Sequence, residues 1–311
     1  MTATLTRCRI CGDVSPSIPL FQLPSGNIVQ CSSCLTVFRA NLKTGTDYVL
    51  LYQNEALMET PFYASNKLAS DPHKEPLRTY LRGLRTVQGM IKPGRLLDIG
   101  CSYGAFMVAA QQQGWETMGV ELSEKTARYA REQRGLNVFT GFVEEAHFPD
   151  AHFQLISLWD VIEHFEDPIR TLRELTRILA PGGIMLIFTI NQKSLLNSIG
   201  HLVYWATLKR WKRLLMLFYD MHHNFFFTPE TLCGLVGRVG RFDVTAMEFA
   251  SAHVRRWHTV PLHPIMMLGS DVIDWLSVLL GRRYRIILYV RKIGSQGTRE
   301  AQATADPQRR D

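Results

Sequence analysis

The chain has 311 residues, 46% of them hydrophobic and 20% charged, so it can bury one substantial core and still supply a small accessory module. A formal charge of +7 and a pI near 9.2 permit an acidic partner, nucleic acid or a membrane surface, without selecting one. The opening MTATLTRCRICG lacks an apolar run of secretory length, which predicts a cytoplasmic protein, and the apolar stretches 195–219 and 260–281 are too interrupted by charge and proline to be transmembrane spans.

The first feature in chain order is a pair of C-x2-C motifs. Cys8 with Cys11 and Cys31 with Cys34 are separated by 19 residues, close to zinc-ribbon spacing. In a chain without an export signal such cysteines are read as metal ligands rather than disulfides. Four thiolates close a tetrahedral Zn2+ site and leave no open position, so the expected zinc is structural. A module of this size, residues 1–45, is too small to fold on apolar burial alone.

Residues 46–92 read as a helical connecting segment punctuated by Pro61, Pro72 and Pro76. Its aromatics Tyr48, Tyr52, Phe62 and Tyr63 are read as packing on the neighbouring domain rather than covering a ligand. From residue 93 to 293, short apolar runs alternate with helix-period segments, which predicts an α/β, Rossmann-like doubly wound, mostly parallel sheet. The expected strands are 95–99, 117–121, 138–140, 153–159, 184–190, 243–249 and 284–290, with helices at 105–113, from Ser123 to Arg134, from Asp167 to Leu179, and 228–239. Residues 193–227 form an insert in which basic residues alternate with Tyr204, Trp205, Trp211 and Phe218. It is read as a lid or core element ahead of a membrane-surface helix, so peripheral membrane contact is the secondary reading. The tail 294–311 is expected to be disordered.

The first strand runs into LLDIGCSYGAF, residues 96–106, which places its glycines where doubly wound sheets bind ligands. Gly100 and Gly104 let the backbone approach a ligand closely. Glu121, 21 residues beyond Gly100 at the end of the second strand, can accept hydrogen bonds from both ribose hydroxyls, which predicts an adenosine-containing cofactor. A dinucleotide fingerprint would need glycine where Ser102 stands, so a pyrophosphate ligand is disfavoured.

The segments LLDIGCSYGAF, GVEL, ISLWDVIEHFEDP and LAPGGIMLIFT occur in an order and spacing that resembles class I S-adenosylmethionine-dependent methyltransferases over residues 95–192. That resemblance implies that Asp98, Gly100, Cys101 and Gly104 line the methionine part of S-adenosyl-L-methionine, that Glu121 holds the ribose, and that Trp159 and Asp160 flank the sulfonium end. Two positions depart from the family pattern, Ser102 for a frequent glycine and Phe142 for a frequent aspartate at the adenine. The paired C-x2-C motifs before this core resemble those of bacterial sugar C-methyltransferases, and HHNFFFTPETL, residues 222–232, resembles small-molecule methyltransferases that include quinone-pathway enzymes.

Methyl transfer needs little from the protein beyond alignment of the acceptor and removal of a proton. The candidate bases are His164 and His222, beside His223, with Asp160 as the fallback. The function expected is methylation of a small-molecule acceptor, a sugar, polysaccharide-pathway or quinone or lipid-linked intermediate. The alternatives are an RNA methyltransferase that binds nucleic acid through the ribbon, and an inactive zinc-ribbon scaffold. Nucleic acid is disfavoured because only Arg7, Arg9 and Arg39 lie near the ribbon, with no dense basic patch.

Overall fold

Three short antiparallel strands open the chain in the computed structural model, which describes residues 7–24, 26–53, 67, 75–219, 222–251 and 264–294. They are β1 (Ile18–Leu23), β2 (Gly26–Gln30) and β3 (Val37–Arg39), and the last of them pairs with β9 (Phe225–Phe226), contributed from almost 190 residues downstream. The N-terminal strands therefore do not stand apart as a separate zinc-ribbon unit. Cys8, Ile10, Val29 and Phe38 are buried in the same apolar cluster as Leu97, Ile156 and Ile187 of the large sheet.

That sheet has seven strands in the order β10-β11-β8-β7-β4-β5-β6. Its members are β4 (Arg95–Ile99), β5 (Glu116–Glu121), β6 (Val138–Thr140), β7 (Phe153–Trp159), β8 (Leu179–Ile190), β10 (Phe242–Ala250) and β11 (Arg285–Lys292). Strands β4 to β8 pair in parallel, whereas β11 lies antiparallel between β8 and β10. The mixed α/β sheet is consistent with the Rossmann-like class expected from the alternating pattern.

Because side chains alternate along a strand, the same strands feed two cores. Leu96, Leu155, Leu186 and Ile287 face one, where α2 (Leu77–Gln88) adds Leu84 and Val87 and α3 (Ala105–Gln111) adds Phe106 and Ala110. Leu97, Ile156, Ile187 and Leu288 face the other, against Leu172 and Leu175 of α5 (Pro168–Ile178) and Leu232 and Leu235 of α8 (Pro229–Gly237). Between them in the chain, α4 (Glu124–Arg134) starts where the Ser123 side chain caps the Thr126 amide and stops at Gly135, which has φ +63°. Asp167 caps α5 by accepting from the Arg170 amide at 3.0 Å, with Pro168 in its first turn.

The connecting segment holds α1 (Gly45–Tyr52) besides α2. Phe62 and Tyr63, and the tail beyond Gly294, lie outside the described residues. The insert forms α6 (Leu195–Ala206) and α7 (Arg213–Phe218). Tyr204, Phe218 and Tyr219 pack with Phe21, Ile28 and Val37 of the N-terminal sheet, so the insert read as a lid is anchored on the ribbon strands. Finally α9 (Pro264–Leu279) leads into β11.

Candidate active site

Strand β4 has neighbours on both sides, β5 and β7, reached by crossovers in opposite directions, and the crevice at such a switch point is where open α/β sheets bind ligands. A cavity of about 840 Å³ lies there, lined at the carboxyl ends of these strands by Asp98, Gly100, Cys101, Glu121, Trp159 and Asp160. Each of these was singled out in the sequence. Gly104 stands one step behind as the N-cap of α3 with φ +79°, where an added Cβ would come 2.1 Å from Leu136 Cδ1. At Gly100, φ is +68° and a Cβ would lie 2.6 Å from Val161 Cγ2. Both positions need glycine.

Glu121 is fixed by the backbone. One carboxylate oxygen accepts from the Ser102 amide at 2.7 Å and the other from the Ser123 amide at 2.8 Å. Each oxygen keeps a further lone pair for a ligand hydroxyl. Burial raises the Glu121 pKa, and these amides oppose that rise. Asp98 is pushed up to about 8, chiefly by burial, although the Ser157 hydroxyl donates to it at 2.7 Å. Ser102 Oγ and Trp159 Nε1 line the cavity as buried polar atoms with no hydrogen-bond partner among the described residues. The wall thus offers donors and acceptors suited to a polar ligand, and an adenosine with an amino-acid tail fits that donor set.

His164 also lines the cavity, and its Nδ1 lies 2.9 Å from the carbonyl oxygen of His222. A carbonyl only accepts, so Nδ1 is the donor in this contact. The Tyr48 hydroxyl donates to the same carbonyl at 2.7 Å, and its ring meets His164 edge-on at 5.6 Å. Tyr48 and Tyr52 line the cavity, so these aromatics do more than pack between domains, while His222 is absent from its lining. His223 sits against His164 at 4.8 Å, held neutral by burial that drops its pKa to about 3.

Three residues at the site escaped the sequence reading. Arg285, buried at the start of β11, forms an ion pair with Asp160, whose backbone is left-handed at φ +54°. Its guanidinium lies over the rings of Phe188 at 5.2 Å and Tyr284 at 5.3 Å. Glu163 is buried, and desolvation and then the Asp160 charge push its pKa up to about 8. Glu163, His164 and His223 bring ligand atoms within 4.8 Å of one another. Asn224, fully buried, donates from Nδ2 to the Lys43 carbonyl at 2.9 Å and the Phe165 carbonyl at 3.2 Å, and accepts from the Lys43 amide at 2.8 Å. It thereby joins the N-terminal segment to the loop that carries His164.

Away from the cavity, Cys8, Cys11, Cys31 and Cys34 gather their sulfur atoms within 4.8 Å, with Cys8 to Cys34 at 3.7 Å and Cys11 to Cys31 at 3.5 Å. Four sulfurs about 2.3 Å from a tetrahedral zinc stand about 3.8 Å apart, so this set fits that ion.

A family model described as a methyltransferase domain matches residues 74–245. The chain belongs to that family. Among curated relatives it is similar to the ubiquinone biosynthesis O-methyltransferase of Bordetella avium (strain 197N), 29% identical over 136 residues, which cover 40% of this chain and 54% of that one. It is also similar to the enzyme of the same name from Caulobacter sp. (strain K31), 34% identical over 105 residues (32% and 41%), and to norajmaline N-methyltransferase of Rauvolfia serpentina, 30% identical over 118 residues (34% and 39%). The chain thus spans about half the length, or less, of the curated relatives it matches. Among solved structures, phosphoethanolamine N-methyltransferase 2 of Haemonchus contortus superposes with a TM-score of 0.56 at 16% identity, over 83% of this chain and 62% of that one. The [4+2]-cyclase SpnF gives 0.54 at 17% identity, over 81% and 98%. At these identities the likeness shows the fold alone, and the cyclase shows that the fold by itself does not fix the reaction.

Proposed function

We propose that the protein transfers a methyl group from S-adenosylmethionine to a hydroxyl of a small molecule, of the quinone-pathway or lipid-linked kind. The observation that carries this reading is the Glu121 carboxylate, clamped by two amides at the end of β5 with its remaining lone pairs available to a ribose. The hydroxyl and the acceptor class rest on the partial likeness to quinone-pathway O-methyltransferases.

S-adenosylmethionine supplies an activated methyl group on a sulfonium, which is already a good leaving group. Asp98, Gly100 and Cys101 shape the wall for its methionine part, with Gly104 behind them, and Trp159 closes the wall beside them. His164 Nε2 takes the acceptor proton. The His222 carbonyl holds the imidazole in the tautomer that leaves Nε2 basic. Asp160 keeps Arg285 against the cavity wall rather than acting as the base. The four N-terminal cysteines would hold one structural zinc, which stabilises the turn from which Arg9 reaches the cavity lining.

Incubation with S-adenosylmethionine labelled on the methyl group and fractionated cell extract tests the reading. Label in a small organic-soluble molecule is the expected result. Label in RNA favours the nucleic-acid alternative, and cofactor binding without transfer to any fraction favours the inactive scaffold.

A further inference from the structure

Helix α9 carries Val272, Trp275, Leu276 and Leu279 at i, i+3, i+4 and i+7, the spacing of a helix face that normally turns toward a core. Here that stripe faces solvent. Trp275 is 61% exposed and Leu279 63%, whereas Ser277 is buried. Helix α9 packs against α6, and α6 repeats the arrangement with Trp205 exposed and Tyr204 buried. In the turn after α6, Leu208 and Lys209 both hold left-handed backbone, at φ +50° and +66°, and Leu208 is 82% exposed. Strain that sets a leucine out in water is retained where the exposed group has something to meet. Lys209, Arg210 and Trp211 follow at once, all exposed, with the Lys209 ammonium 4.7 Å from the Trp205 ring.

We infer that the outward faces of α6 and α9, with the turn at residues 207–212, dock on the surface of an anionic phospholipid bilayer. Tryptophan and leucine among cations is the composition that enters the headgroup boundary, where rings bury their apolar part and lysine and arginine meet lipid phosphates. No helix among the described residues is long and apolar enough to cross a membrane, so the mode is interfacial. A second copy of the chain suits this face less well, because a two-fold interface would set the basic turn against itself or bury its cations unpaired. Helix α9 leads into β11, whose first residue, Arg285, lines the cavity, so docking sets the cavity close to the lipid. The inference stands on exposure and charge and does not depend on methyl transfer.

The test is co-sedimentation of the full chain, without cofactor, with vesicles of phosphatidylcholine alone or mixed with phosphatidylglycerol. Wild type is expected to pellet with the mixed vesicles, to be released by salt, and to show a blue-shifted tryptophan emission. Combined Lys209→Glu, Arg210→Glu and Lys212→Glu should weaken partitioning by at least about tenfold. Combined Trp205→Ser, Leu208→Ser and Trp275→Ser should do the same with an unchanged melting curve. Brominated lipids should quench wild-type tryptophan fluorescence, a readout that needs no variant to fold. Absence of quenching, or equal binding to neutral and anionic vesicles, overturns the inference. A wild-type dimer that the serine variant splits into monomers, without vesicle binding, also overturns it and assigns the face to a second copy.

Discussion

His164 Nδ1 and the carbonyl oxygen of His222 lie 2.9 Å apart, so two histidines that the sequence offers as alternative bases form a single device in which one orients the other. His222 acts there through its backbone, and its side chain is outside the cavity lining.

The expected kinetics follow from that division. His164→Gln should lower turnover about a hundredfold to ten-thousandfold while cofactor affinity stays near wild type. His222→Gln should retain most of the rate, because the carbonyl remains. Steady-state kinetics on the identified acceptor, with calorimetric cofactor binding, check both. Equal losses in the two variants would contradict the assignment.

One zinc per chain is expected by elemental analysis, with four thiols shielded from alkylation. Cys31→Ser should release the metal. Because Cys8, Val29 and Phe38 share a core with the large sheet, the loss should lower the melting temperature of the whole chain, by roughly 2–4 °C for each kcal/mol lost. A metal-free wild type with reactive thiols and an unchanged melting temperature would contradict this.

The seven-stranded sheet was largely legible, and the reason is local. Runs such as Arg95–Ile99, Val138–Thr140 and Phe153–Trp159 are short, apolar and bounded by turn residues, and the structure places strands on those same residues. Gly100 and Glu121 follow from strand ends, Cys101 and Trp159 from the resemblance to class I methyltransferases, and all line one cavity. The insert was less legible, since a helix period reads the same whether its apolar face turns inward or outward. Tyr204 is buried and Trp205 exposed, yet adjacent aromatics carry no sign of that difference. The Asp160–Arg285 pair joins residues 125 apart, and an arginine opening an apolar strand is the only signal it leaves. Asn224 sits inside HHNFFF, where its neighbours drew notice and its bonds to residues 43 and 165 could not be read.

Asp98 should give a pH signature. Its folded pKa of about 8 lies above the ordinary aspartate value of 3.8, so the folded state binds the proton more tightly. Its contribution to stability is therefore complete below about pH 4 and is lost as pH rises through about 8. The melting temperature of wild type relative to Asp98→Asn should fall between pH 4 and 8. A difference independent of pH would contradict the assignment.

The loop after β4 should separate two small substitutions. Gly104→Ala forces a Cβ to 2.1 Å from Leu136 Cδ1 at φ +79°, and should cost about 1–3 kcal/mol in urea denaturation. Ser102 holds left-handed backbone at φ +51°, a conformation glycine adopts without a Cβ penalty, so Ser102→Gly should stabilise by about 1 kcal/mol. Equal effects of the two variants would contradict this reading of the backbone.

The most direct test of the central claim is calorimetric binding of S-adenosylmethionine to the wild type and to Glu121→Ala. Wild type should bind one cofactor per chain. The variant should keep its secondary structure and lose at least about tenfold in affinity, since hydrogen bonds to a charged group contribute about 1.5–3 kcal/mol each. Unchanged affinity in a folded Glu121→Ala, or a wild type that binds no S-adenosylmethionine, would contradict the account.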